Sequence, residues 1–255
     1  MNNTPFFSVI TASFNSERTI YKTIESLLNQ TYTNYEYIII DGNSKDTTLD
    51  IIKSFESKFK EKNITYKFIS EPDKGIYDAW NKGVKLANGE WISFIGSDDY
   101  YLDNALYNYF EEIKKSSKNI NYISSKVMVI DSKGNNIRTI GKKFNWASII
   151  NNMNIAQVGS FHKKELFDHI GVFSTDYKIV GDLDFYIRCR EVIIPSFFNT
   201  VTARMENNGV SNQIHKALNE ALKVRLKYGY DSKLSIYLNH YIILVKCYAN
   251  LILKK

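Results

Sequence analysis

The chain has 255 residues, 44% of them hydrophobic and 24% charged, which suits one α/β domain or one domain with a small appendage and excludes a disordered chain. Its formal net charge of +6 admits a nucleic-acid, anionic-membrane or phosphorylated partner. No basic stripe interleaved with aromatics lies in the first half, so no nucleic-acid partner is expected.

Met1-Asn2-Asn3-Thr4-Pro5 lacks the basic start and apolar centre of a signal peptide, so a cytoplasmic setting is expected. Cys189 and Cys247, far apart and in no metal or redox pattern, agree with a reducing compartment. Phe7 to Ser13 is an apolar run of β-formers that stops at the helix-capping residues Asn15 and Ser16. Ile20, Ile24, Leu27 and Leu28 follow at helical spacing. Tyr35 to Ile40 predicts a second strand, and Leu49, Ile52, Phe55 and Phe59 a second helix. Ile64 to Ile69 predicts a third strand, Ile76, Trp80, Val84 and Ala87 a third helix, and Trp91 to Ile95 a fourth strand. This alternation implies a parallel sheet covered on both faces.

Beyond residue 100 the pattern is less regular. Asn121 to Ile130 and Ile137 to Ile140 flank a turn at Asp131-Ser132-Lys133-Gly134 and predict a hairpin. Helical patterns follow at 146–153, 163–170 and 182–190, a strand at 197–203, and helix from Ser211 onward. The last segment contains Asn239, His240, Lys246 and Asn250, too polar for a membrane span. It reads equally as a helix packed on the domain or as one lying in an anionic membrane interface. The domain expectation is 1–210 as one unit, with halves at 1–100 and 101–210, and 211–255 as a C-terminal helical extension.

Ligands on such sheets bind beyond the carboxyl ends of the strands. The polar clusters Thr11 to Glu17, Asp41 to Asp46 and Gly96 to Asp99 fall there. Asp98-Asp99 carries the most chemistry. Two carboxylates after a buried strand are costly unless a cation or donors offset them. A divalent ion with hard oxygen ligands does so and leaves room for a diphosphate. The plain alternative is a cap for a helix starting near Asp103. Asp41 can accept a hydrogen bond from a base or ribose, while Ser44 or Asp46 caps a helix. Lys74 can neutralise a phosphate, and Asn81, on a helix whose neighbours Trp80 and Val84 are expected to be buried, requires partners.

Ser8-Val9-Ile10-Thr11-Ala12-Ser13-Phe14-Asn15 with Ile40-Asp41-Gly42-Asn43-Ser44-Lys45-Asp46 resembles the opening of the family 2 glycosyltransferases. Asp73-Lys74-Gly75-Ile76-Tyr77-Asp78-Ala79, Asn81-Lys82-Gly83 and Phe94-Ile95-Gly96-Ser97-Asp98-Asp99 continue the resemblance in order. It implies a GT-A, Rossmann-like α/β fold, a UDP-sugar donor and a Mn²⁺ or Mg²⁺ ion. Thr11, Ala12, Ser13, Glu17, Asn43, Asp73, Lys74, Gly75, Asn81 and Ser97 fall on the nucleotide-sugar side of that resemblance, and Asp41 matches the carboxylate that reads uracil. Asp98 matches the last Asp of the family's Asp-x-Asp. Gly96 replaces the first, which makes Asp99 the second candidate metal ligand.

Ile179 to Arg188 resembles the family's catalytic-base motif, with Asp182 at the base position and Gly181 where an acidic residue usually precedes it. An ordinary helix cap is the competing reading of Asp182. Asp184, Ser211 and His215 are expected on the acceptor and mobile-loop side, and His162 as structural or acceptor-facing. The implied reaction is a single in-line displacement, inverting the anomeric carbon, with Asp182 deprotonating a hydroxyl. The expected acceptor is a glycan or lipid-linked saccharide in surface polysaccharide synthesis, of O-antigen or capsule type, on the inner face of the membrane. The competing classes are a nucleotidyltransferase, for which Thr11-Ala12-Ser13-Phe14-Asn15 lacks the Gly-rich loop, and a non-catalytic sugar-binding module.

Overall fold

The computed structural model describes residues 4–152, 155–207, 213–229 and 231–253. Four parallel strands form its first half: β1 (Phe7–Ser13), β2 (Tyr35–Asp41), β3 (Thr65–Ser70) and β4 (Trp91–Gly96), in the order β3-β2-β1-β4. Between them run α1 (Ile20–Leu28), α2 (Thr48–Lys53), α3 (Glu56–Glu61) and α4 (Ile76–Leu86). The second helix expected from sequence is therefore two. Ser54 donates its hydroxyl to the Ile51 carbonyl, and Phe55 N bonds the Ile52 carbonyl, a tightened turn between them.

Period-two alternation sorts the strand residues onto two cores. Phe7, Val9, Tyr37 and Ile39 pack with Ile24, Phe59 and later Tyr109 on one face. Ile10, Ile38, Ile40, Ile92 and Phe94 pack with Trp80, Val84 and later Phe185 on the other. A fully buried Phe contributes about 2–3 kcal/mol relative to exposure, so these aromatic-rich faces fix the sandwich. Glu36 on β2 is buried, yet its carboxylate accepts from Ser8, Lys67 and Asn88, which ties the α4–β4 turn to the sheet.

After β4 come β5 (Tyr100–Tyr101), α5 (Ala105–Lys115), β6 (Tyr122–Ile130), β7 (Asn136–Ile140) and α6 (Trp146–Asn152). A 3-10 turn (Gln157–Gly159) leads into β8 (Ser160–Lys163), followed by α7 (Lys164–Ile170), α8 (Gly181–Arg188) and β9 (Pro195–Glu206). The parallel arrangement stops at β4. There β8 joins antiparallel, then β6, while β9 runs parallel to β6 and β5 antiparallel to β9. The predicted hairpin is β6–β7. The chain ends in α9 (Ile214–Tyr228), closed by Gly229 at φ 60°, and α10 (Lys233–Leu253).

The register carries the site. Ser13 lies beside Asp41, Asp41 beside Ser70, and Ala12 beside Gly96, so the four strands reach their carboxyl ends together. α9 supplies Ala221 and Val224 to the second core. Its Glu220 carboxylate accepts the backbone N–H groups of Lys178, Ile179 and Val180, which steadies the entry into α8. Among the described residues, no helix is long and apolar enough to cross a membrane.

Candidate active site

The loops after β1 and β2 are locked to each other. Asn15 N–H donates to the Ser44 hydroxyl, and Lys45 N–H returns to the Asn15 side chain. Glu17 N–H reaches Asp46, while the Glu17 carboxylate accepts from Thr47 N–H and Oγ1. Asn15 and Asn43 adopt φ of 48° and 64°, a region that asparagine tolerates better than most residues. Asp41 is enclosed beneath this lock and accepts from Ser13, Ser44 and Ser70 hydroxyls and Ser44 N–H. Ser16 Oγ lies 2.8 Å from Ser97 Oγ, joining the lock to the turn after β4.

That turn holds the carboxylate pair. A Cβ on Gly96 would sit 2.7 Å from Asp98 Oδ1 and 3.1 Å from Asp99 Oδ2, so glycine is what lets both carboxylates fold back over the strand end. The capping alternative fails, because β5 intervenes and α5 begins after Asn104. Asp99 Oδ1 accepts Glu206 N–H from the end of β9, which brings a third carboxylate to the turn. Burial raises the pKa of Asp98, and burial plus the Asp98 charge raises that of Asp99. Burial and then Asp98 raise Glu206, with Lys22 opposing. Among the described residues no Lys or Arg forms an ion pair with any of the three.

These carboxylates fit a divalent cation. Hard oxygen donors left in mutual repulsion are stabilised by it, and one or two protein carboxylates suffice where a substrate's phosphates complete the shell. Among the described residues no three His, Cys, Asp or Glu side chains converge as a complete cage. The fit is thus to a shared site, with Asp98 and Asp99 on the protein side.

Asp182 sits in the first turn of α8, on the same cleft of about 1200 Å³ as Asp98, Asp99 and Glu206. Its Oδ1 accepts Leu183 N–H at 2.8 Å and faces Tyr77 Oη at 3.3 Å. Burial pushes its pKa up to about 6, against the lowering effect of these donors. Gly181 is explained by packing: a Cβ there would lie 2.8 Å from the Tyr77 ring.

Of the nucleotide-side candidates, Ala12, Ser13, Glu17, Asp73, Ser97 and Asp98 line the cleft. Gly75, at φ 118°, opens α4 where a side chain would be strained. Asp73 holds Gly75 N–H. Lys74 is exposed, and its carbonyl, not its ammonium, is engaged, by Lys178 Nζ.

Three candidates are corrected. Thr11 points to the opposite face of β1, buried, with Oγ1 2.9 Å from Tyr37 Oη. Asn81 donates to the Phe173 carbonyl and accepts its N–H, so its amide is turned to the core. Asp184 is enclosed by Arg188, Lys227 and Tyr228 and ties α8 to α9, and it is not part of the cleft lining. His215 is exposed at the start of α9 and is not part of the cleft lining. Ser211 lies outside the described residues. His162 is structural: it is buried against Tyr186 Oη at 3.0 Å, and burial lowers its pKa to about 3.

Sequence reasoning missed Phe14, 61% exposed at the cleft lip, and Glu206, Gln157 and Arg225 in its wall. Phe14 alone left a signal, as an aromatic at a strand end. The others depend on β9 pairing with β6 and β5 within the sheet, and on the 3-10 turn and α9 packing beside it.

A sheet whose strand ends hold a carboxylate pair, facing an acidic helix start across one cleft, is the architecture of the GT-A glycosyltransferases. The family model described as glycosyl transferase family 2 matches residues 8–177, and the chain belongs to that family. A relative, the PGL/p-HBAD biosynthesis glycosyltransferase of Mycobacterium bovis, is 30% identical over 214 residues, covering 82% of this chain and 80% of its own. The UDP-Glc:alpha-D-GlcNAc-diphosphoundecaprenol beta-1,3-glucosyltransferase WfaP of Escherichia coli is 41% identical over 110 residues, 42% of each chain. In fold, the chain resembles S. aureus TarS 1–349 in complex with UDP-GlcNAc, with a TM-score of 0.67 at 17% identity, covering 93% of this chain and 71% of that one. It resembles the mannosyltransferase PcManGT of Pyrobaculum calidifontis in complex with GDP-Man and Mn²⁺, with a TM-score of 0.68 at 14% identity, covering 93% and 69%. The protein is a glycosyltransferase of mixed α/β, GT-A fold with C-terminal helices.

Proposed function

We propose that this glycosyltransferase transfers a hexose or N-acetylhexosamine from a UDP-sugar to a hydroxyl of a glycan or lipid-linked glycan, with inversion, in the synthesis of a surface polysaccharide such as O-antigen or capsule. The observation that carries the reading is Asp182, a carboxylate with a pKa of about 6 on the same cleft as Asp98 and Asp99. A general base works best with a pKa near the operating pH. The names of relatives supply the substrate class: one acts on a diphosphoundecaprenol-linked sugar with UDP-Glc, another on a dolichyl phosphate-linked one.

Asp182 takes the proton of the acceptor hydroxyl as that oxygen attacks the anomeric carbon. The diphosphate leaves from the opposite face, and the configuration inverts. Leu183 N–H and Tyr77 Oη hold Oδ1, which turns the other oxygen of the carboxylate to the acceptor. Asp98 and Asp99 would hold Mg²⁺ or Mn²⁺, which when bound supplies positive charge to the diphosphate. The interlocked loops around Asn15 and Ser44 shape the nucleotide end. Asp41 serves as their anchor, and contact with a base would require one of its four donors to release it.

On α10 the exposed side chains Leu234, Tyr237, Leu238, Tyr241, Ile242 and Val245 form a continuous apolar stripe. Eight Lys and Arg against two acidic residues follow residue 212, so the whole net charge of +6 lies in that region. A basic helix with such a stripe favours an anionic membrane face, where lipid-linked acceptors reside.

Incubating the protein with Mn²⁺ and a panel of UDP-sugars, with GDP-mannose as the contrast, tests the donor. Metal-dependent turnover of one UDP-sugar is expected. Turnover of GDP-mannose alone, or of no nucleotide sugar, overturns the reading.

A further inference from the structure

The cleft continues past Asp182. Its far wall is apolar: Ile155, then Leu218 and Ala221 of α9, and Ile243 of α10. A cation, Arg225, stands in that wall. Arg225 lies one turn beyond Ala221 and is 6% exposed. Its Nε donates to the Ile150 carbonyl at 2.7 Å and one Nη to the Asn151 carbonyl at 3.0 Å. The other Nη is buried and has no partner among the described residues.

No carboxylate pairs with this guanidinium among the described residues. Asp231 lines a small cavity on its other side, but its oxygens are engaged by Ser232 N–H and the Ser235 hydroxyl. His240 is also nearby, and burial and then the Arg225 charge lower its pKa. A buried charge with only carbonyl partners is costly, and the remaining N–H is a ready donor to an anion. The apolar surroundings decide what kind of anion. A freely hydrated ion gains little there, whereas an anion on an apolar stem offsets the charge and covers Leu218 and Ile243 together.

We propose that Arg225 binds the phosphate or diphosphate of an acceptor that carries an apolar chain, with the chain laid between α9 and α10. The inference rests on the reading that the acceptor enters this cleft opposite the donor. The same chemistry occurs in a lipid-linked acceptor and in a membrane phospholipid, and the test separates them.

Dodecyl phosphate, dodecyl β-maltoside and inorganic phosphate are titrated, below micelle formation, into the full chain and into Arg225→Gln and Arg225→Lys. UDP titrated into the same samples with Mn²⁺ reports on an intact cleft. The parent is expected to prefer dodecyl phosphate over the maltoside by about tenfold or more, as for a hydrogen bond to a charged group. Arg225→Gln should erase that preference, Arg225→Lys should retain part of it, and UDP should bind all three. Inorganic phosphate should bind weakly throughout. Equal binding of the two amphiphiles by the parent, or an unchanged preference in Arg225→Gln, overturns the proposal. Phosphatidylglycerol vesicles separate the two sources: sedimentation that depends on Arg225 while the soluble preference does not would assign the arginine to the membrane surface and overturn the acceptor role. Loss of UDP binding by the parent would instead refute the donor reading and leave the amphiphile preference standing as a separate result.

Discussion

Tyr77 Oη stands 2.7 Å from the Ile179 carbonyl and 3.3 Å from Asp182 Oδ1, so one phenol fixes both the entry to α8 and the carboxylate at its start. The hydroxyl lowers the Asp182 pKa against the rise from burial. Tyr77→Phe should therefore move the acidic limb of the kcat/KM profile above its position near pH 6, by about half a unit to one unit. A pH–rate profile of the two proteins checks this. An unmoved limb would separate Tyr77 from the base.

Asp182→Asn should lower kcat by about 10²–10⁴-fold, the usual contribution of a general base, while UDP affinity is retained. Stability should move the other way. The folded pKa is about 6 against an ordinary 3.8, so ionised Asp182 costs the folded state above pH 6, and the cost vanishes as pH falls towards 4. Thermal melts should show Asp182→Asn more stable at pH 8, by roughly 2–3 kcal/mol before solvent relaxation, with the difference closing by pH 4.

Gly96→Ala puts a methyl 2.7 Å from Asp98 Oδ1. Displacing both carboxylates should weaken metal-dependent UDP binding by about tenfold or more, since each lost charge-assisted contact is worth about 1.5–3 kcal/mol. Asp98→Asn should weaken donor binding and transfer together. Calorimetric titration of UDP with and without Mn²⁺ measures both, and equal UDP affinity in Gly96→Ala and the parent would show that the glycine does not serve the pair.

Asn81→Ala should be a folding variant, not a binding one. It strands the N–H and carbonyl of Phe173 in the core, at about 1–3 kcal/mol each. Urea melts should show a loss of a few kcal/mol, while the folded fraction binds UDP as the parent does. A selective loss of donor affinity would return Asn81 to the nucleotide site.

Leu238→Glu with Tyr241→Glu interrupts the exposed stripe of α10, where these residues are 60% and 63% exposed. Sedimentation with phosphatidylglycerol vesicles should fall several-fold while turnover of a soluble acceptor stays unchanged. Unaltered sedimentation would remove the helix from the membrane contact.

The sequence by itself determined the first hundred residues: strands at Phe7, Tyr35, Thr65 and Trp91, and polar clusters at their carboxyl ends, because local hydrophobic periodicity and strand-end polarity are both written in short windows. Asp98 stood out as a carboxylate at a strand end, whereas Asp182 stood out through the resemblance of Ile179 to Arg188 to the family's motif, since locally it reads as a helix cap. Which side of a strand or helix a polar residue serves was not local. Thr11 differs from Ala12 by one step of a two-residue period, Asn81 is claimed by Phe173 from 92 positions away, and Asp184 is claimed by Lys227 and Tyr228 of α9. Gly96 looked like a lost ligand, and only the fold-back of Asp98 and Asp99 shows that the missing side chain makes room for them. Glu206 and Arg225 reach the cleft because β9 joins the sheet beside β6 and α9 packs against it, contacts that exist only once distant segments have come together.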